Sequence, residues 1–441
     1  MSELYNFLYD DVDKLTPSML ALTCNPFGNI IKDMSKINAN PFIFNHEINP
    51  KFSITDQKSS GRCWLFASCN ILRVMASNNS ELSAAKDLEF SQTYLYFWDK
   101  LERYHRSLQY FLKIKDMPEI IQDRYLNNLY KEALGDGGQW DMAKELIKKY
   151  GIVPKQAMPD SFHSKSSAAM NKFLFQMLKK DFIILDSTNT TNIPDTIDDM
   201  MYKAYRVLIG FLGVPPKEFD FVFQSKEGVK TYEKLTPHKF LELTKFNPDD
   251  MVSIVHDPRK ENEYNKYYQV EFLGNVKDMH VGWINMNIDR VKELTKKAID
   301  NNIPVWFGCD VGAERDRESG IMDTNIYNYN ELKIINADGY DINIDMTKEE
   351  KLKTLTSVPS HAMVINGYYS DNNSNVTRWK IENSWGKASG SDGHLLMTDR
   401  WFSEYVYQIV VPKSYLEQYE LDALDNVHKV LPPWDPLGTL A

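Results

Sequence analysis

Residues 361–386 read HAMVINGYYSDNNSNVTRWKIENSWG. Two strand-like runs flank Asp371 to Asn375, five residues of the types that make turns. The second run, TRWKIE, alternates strictly and puts Trp379 and Ile381 on one face, as a half-buried strand does. The pattern predicts an antiparallel hairpin. His361 lies eleven residues before Asn372 (372 − 361) and Asn383 eleven after it (383 − 372). The start of the first strand then returns beside the end of the second, with strands about 5 Å apart. An asparagine oxygen that accepts one imidazole N–H fixes the ring's orientation and tautomer. The other ring nitrogen is left to face a nucleophile.

Working outward, GHLLMTD and EYVYQIVV downstream and IPVWFGCDV upstream also read as strands, so the chain is β-rich from residue 303. The first two thirds are helix-rich. Five segments are expected: an N-terminal arm (1–50), a helical half (51–160), a mainly helical insertion (161–302), a β half (303–412) and a proline-stiffened, extended tail (413–441). The fold class is α+β.

The nucleophile is sought in the helical half. In CWLFASCNILRVMASN (63–78), Trp64, Ala67, Ile71 and Val74 recur at helical spacing, and Leu65, Leu72 and Met75 widen the apolar face. Ser59, Ser60 and Gly61 supply the turn and cap before it. Cys63 thus sits at the N-terminus of a buried helix, where the helix dipole and a nearby imidazolium both favour thiolate. Gln57, on the loop entering that helix, is placed for its amide to hold an oxyanion together with the Cys63 N–H. Taken singly, each of these residues has an ordinary structural reading. Their order along the chain and the hairpin geometry join them into a catalytic set.

The bulk properties agree. A chain of 441 residues with 43% apolar and 25% charged residues is an ordinary globular composition, long enough for more than one domain. A net charge of −10 argues against a surface that attracts nucleic acid or anionic lipid as a whole. The first twenty residues show no secretory signal, and no run reaches the ~18 apolar residues that span a bilayer. There are 4 cysteines, a sparse usage that suits a reducing, cytoplasmic setting. Cys63 and Cys69 on one helix stand about 9 Å apart along its axis, beyond disulfide reach. No HExxH or paired CxxC motif is present, and the chemistry calls for no metal or other cofactor.

A glutamine before GRCW, a later strand histidine and then NSWG resemble the papain superfamily of cysteine peptidases. DQKSSGRCWLFASCN (56–70), FSQTYLYFWDK (90–100), GDGGQWDM (135–142), VWFGCDVG (305–312), ENSWG (382–386) and PPWDPLGTLA (432–441) resemble its intracellular aminopeptidase C and bleomycin hydrolase branch more closely still. Positions 63 and 361 differ by 298, against roughly 130–150 in secreted relatives. This implies an insertion of about 150 residues between the halves.

The resemblance implies Cys63 as nucleophile, His361 as acid and base, Asn383 as orienter and Gln57 as oxyanion donor. It also implies that Trp385 shields the His361–Asn383 bond, that Gly137 and Gly138 line the cleft, and that the Ala441 carboxylate meets the α-ammonium of a peptide substrate. Hexameric rings and bleomycin-like amide hydrolysis are family traits. The rival readings are an endopeptidase with a mobile tail and a ring-shaped nucleic-acid-binding protein. The acidic balance counts against the latter.

Overall fold

A computed structural model describes residues 17–79, 81–85, 88–225, 228–329 and 344–439. The helices that build the site are α1 (Cys63–Asn79), α2 (Gln92–Lys115), α3 (Trp140–Tyr150), α4 (Ala168–Ser187) and α5 (Ile193–Leu212). The strands are β1 (His46–Glu47), β2 (Phe219–Ser225), β3 (Gly228–Leu235), β4 (Met251–Val255), β5 (Lys266–Val270), β6 (Gly282–Asn285) and β7 (Val305–Cys309). They continue with β8 (Ile321–Met322), β9 (His361–Ser370), β10 (Val376–Glu382), β11 (His394–Thr398), β12 (Val406–Pro412) and β13 (Val427–Leu431).

Among the described residues, eleven strands form one sheet in the order β13-β5-β6-β4-β12-β7-β9-β10-β11-β8, with β1 paired to β9. Most neighbours are antiparallel; β4–β6, β5–β13 and β8–β11 are parallel. The strands β2 and β3 form a separate hairpin.

The expected hairpin is β9–β10. Its turn is held by the Asp371 carboxylate, which accepts from the N–H groups of Asn373 and Asn375 at 2.9 Å each. Trp379 and Ile381 are buried as the alternation requires. α1 packs against β9 with Trp64, Leu65 and Phe66 wholly enclosed. Burying each such side chain stabilises the fold by ~1.5–3 kcal/mol. Arg73 on α1 donates to Glu382 at 2.6 Å, a buried ion pair that ties the helix to the end of β10. The Trp306 indole on β7 donates to the Trp64 carbonyl at 3.2 Å.

Segment 161–302, expected to be mainly helical, is so only in its first part, where α4 and α5 pack on each other and on α2. From Phe219 onward it carries β2 to β6, and β4 to β6 extend the main sheet beside β12. The sheet therefore begins before residue 303. The physical reason lies in runs such as MVSIV (251–255). It is buried at every position, so it lacks the alternation that marks a strand with one wet face. The last segment is less extended than expected: β13 joins the sheet, and the chain runs as a tail only from Pro432.

Candidate active site

Cys63 is the first residue of α1 and is buried. The turn before it is rigid. The Arg62 carbonyl accepts from the N–H groups of Leu65 and Phe66 at 3.0 Å. The enclosed Arg62 guanidinium reaches Ser60 at 2.9 Å and Asp160 at 3.1 Å. Cys63 lies in one buried cluster with Ala362, the residue after His361. The helix that carries the thiol packs against β9, the strand that carries the histidine.

His361 opens β9 and is buried. Its Nε2 lies 3.0 Å from Asn383 Oδ1. That oxygen also accepts from the Ser384 N–H at 2.8 Å, so it acts as an acceptor and Nε2 carries the hydrogen. Nδ1 is then the basic nitrogen. Glu382 pairs with Val364, a register that sets Trp385 level with His361. The two rings stack with centroids 4.7 Å apart and planes 29° from parallel. The Arg315 guanidinium carbon lies over the same indole, 4.7 Å from its centroid.

Burial pushes the Cys63 thiol up to about 11, with the backbone dipoles of Ala362, Trp64 and Cys63 working the other way. Burial pushes His361 down to about 4; the bond to Asn383 works the other way and Arg315 reinforces the shift. Each group alone is therefore neutral near pH 7.

Gln57 is fixed from two sides. Its Oε1 accepts from the Ser384 hydroxyl at 2.6 Å, and its backbone N–H donates to the Ser384 carbonyl at 2.8 Å. Its Nε2 donates to the Ser60 carbonyl at 2.6 Å, leaving a second hydrogen on that nitrogen.

Gly137 lines a cavity of about 840 Å³ together with Gly135, Asp136, Ser360, Gly438 and Thr439. Gly138 is buried instead; a Cβ there would stand 2.5 Å from the Trp64 ring, so packing against α1 demands glycine. Ala441 lies outside the described residues. The tail leading to it is placed up to Thr439. The Thr439 carbonyl accepts from Gln139 Nε2 at 2.7 Å, and its hydroxyl donates to the Pro359 carbonyl at 2.9 Å. It thus bridges the helical wall and the β wall two residues before His361.

Two linking residues were not singled out from the sequence. Ser384 joins Gln57 to Asn383, and its place directly after Asn383 was the available signal. Asp136 joins the cysteine turn to the helices around it. Its carboxylate accepts from the Gly61 N–H at 3.2 Å, Tyr96 at 2.5 Å, Asn171 at 2.6 Å and Ser167, and pairs with buried Lys100 at 2.9 Å. Burial opposes its ionisation, yet Lys100, Ser167 and Tyr96 together hold it well below the usual carboxylate range. A charged residue flanked by glycines was the only hint in the sequence.

The chain matches the model of the Peptidase C1-like family over residues 4–438. It is 36% identical over 418 residues to aminopeptidase C of Listeria innocua, covering 92% of this chain and 90% of that protein. It is 38% identical over 397 residues to aminopeptidase C of Lactococcus lactis subsp. cremoris (89% and 87%) and 36% identical over 414 residues to human bleomycin hydrolase (90% and 89%). The crystal structure of PepW from Lactobacillus rhamnosis HN001 superposes with a TM-score of 0.92 at 35% identity, covering 100% of this chain and 98% of that one. The fold is accordingly that of a papain-like cysteine peptidase. With a family model spanning almost the full length, and with sequence and backbone agreeing along it, the chain belongs to the Peptidase C1-like family.

Proposed function

We propose that the chain is a cysteine aminopeptidase that releases N-terminal residues from peptides. The observation that carries this reading is the Nε2–Oδ1 contact between His361 and Asn383, on the strand against which the Cys63 helix packs. It leaves Nδ1 as the base for sulfur. Similarity to proteins named aminopeptidase C and bleomycin hydrolase supports the substrate class.

In this reading the Cys63 proton passes to His361 Nδ1 as sulfur attacks the first peptide carbonyl. Because both groups are neutral alone, the ion pair forms as the reaction requires it. The carbonyl oxygen gains charge and is met by the free Gln57 Nε2 hydrogen and the Cys63 N–H. His361 returns the proton to the departing amine, and the C–N bond breaks to leave a thioester. Water gives His361 a proton as it attacks the thioester carbonyl. The C–S bond then breaks, sulfur recovers the proton, and the free N-terminal residue leaves. Trp385 covers the ring and keeps water from the Asn383 contact.

The exopeptidase character rests on the tail. Thr439 is held from both walls, and in this reading the Ala441 carboxylate beyond it stops a substrate's α-ammonium. Gly137 lets the substrate backbone approach the wall. Bleomycin-like amide hydrolysis falls within the same chemistry. The reading extends to a homohexamer in the cytoplasm. The four free cysteines support a reducing setting, and the assembly rests on the resemblance. Among the described residues, no helix is long and apolar enough to cross a membrane.

Two measurements test this. Aminoacyl-amides with a free amine should be hydrolysed and their N-acetylated forms should not. Mass spectrometry after iodoacetamide should find inactivation paralleling modification of Cys63. Full activity with Cys63 alkylated would overturn the assignment.

A further inference from the structure

An end-stop works only if it stays put, and Thr439 is held only by neutral hydrogen bonds, to Gln139 and Pro359 on the walls and to Pro436 within its own turn. A stronger anchor lies four residues upstream. Arg259 faces Asp435 in a two-pronged pair, with Nη1 to Oδ2 and Nη2 to Oδ1 both at 3.0 Å. The same guanidinium grips Asp257 through Nε at 2.9 Å and Nη2 at 2.8 Å. All three residues are buried. Asp257 belongs to the sheet: it directly follows β4 and His256, its N–H donates to Asn285 of β6 at 2.9 Å, and its carboxylate accepts from Asn262 at 2.7 Å. The clamp therefore connects the tail to the main sheet.

Asp435 does a second job. Its Oδ1 accepts from the Leu437 N–H at 3.0 Å and so shapes the turn Pro436–Gly438 that aims Thr439 across the cleft. Position and direction of the tail meet at one carboxylate.

We propose that Arg259, through its fork to Asp435, is the positioning residue that sets aminopeptidase against endopeptidase specificity. It does so by fixing where the end-stop stands. The inference rests on the reading, given above, that the last residues form that stop. Two desolvated charges resist separation far more than Thr439's neutral bonds do. A guanidinium suits the task because its planar array meets two carboxylates at once, which an ammonium cannot. Neither residue takes part in bond making.

The test uses the full chain with three changes made separately: Asp435→Asn, Arg259→Lys and deletion of residues 440–441. The amide introduced by Asp435→Asn keeps an oxygen for the Leu437 N–H and leaves Arg259 paired with Asp257, so the body of the protein stays intact. Each variant is assayed on a free-amine peptide and on its N-acetylated form. For Asp435→Asn and Arg259→Lys we expect kcat/KM on the free-amine peptide to fall at least tenfold, mainly through KM. Cleavage of the acetylated peptide should rise towards that of the deletion variant. If the deletion leaves the ratio of the two activities unchanged, the end-stop reading fails and the clamp with it. If the deletion shifts the ratio but Asp435→Asn leaves it at the wild-type value, or loses both activities together, the clamp inference alone is overturned.

Discussion

His361 sits where burial keeps its ring neutral far into the acid range. Its pKa is lower in the folded chain (about 4) than the ~6.5 of an unfolded one. The stability linked to it is therefore complete above pH 6.5 and is lost as pH falls towards 4. His256, pushed down to about 3 by burial and Lys348, acts in the same direction. Melting temperature should drop across that window, and His361→Gln should flatten part of the drop; calorimetry against pH checks this. Activity is expected to hold from its acid limb near pH 4 through neutrality, since Cys63 ionises alone only towards 11. Cys63→Ala should abolish turnover without unfolding the chain. Gln57→Ala should lower kcat by ~10²–10³, and Asn383→Ala by less than Cys63→Ala. Steady-state kinetics on an aminoacyl-amide distinguishes them.

At the scale of elements, α1 and the loop before α3 are fitted to each other atom by atom. Gly138→Ala would drive a methyl into Trp64 and should cost ~1–3 kcal/mol, as an overpacked core does. A lower denaturation midpoint would show it. The sequence announced α1 and the β9–β10 hairpin because each carries a local signal: helical apolar spacing in one, and a turn between alternating strands in the other. It even brought His361 beside Asn383 from chain lengths alone. The strands β4 and β6 carried no such signal, since residues buried on every side show no period. Gly138 was read as part of a cleft wall because a glycine pair looks alike whether a substrate or an indole lies against it. Asp136 gathers partners from positions 61, 96, 100, 167 and 171, a convergence that exists only in three dimensions.

Across the whole molecule, the helical and β halves meet along α1, and the Arg73–Glu382 pair crosses that seam one residue before Asn383. Arg73→Met would take the guanidinium from buried Glu382 and leave it the Asn366 amide at 3.3 Å, and should destabilise by ~3–5 kcal/mol. A urea titration with an unchanged slope and an earlier midpoint is the expected outcome. The lobe containing α4 has a different kind of importance. Ser167 and Asn171, which contribute hydrogens to Asp136, stand at its very start. An engineer who excised residues 161–212 to obtain a minimal peptidase would take those hydrogens away from the turn that presents the sulfur. The lobe is thus no removable ornament: the reagent at the heart of the enzyme is partly sculpted by it.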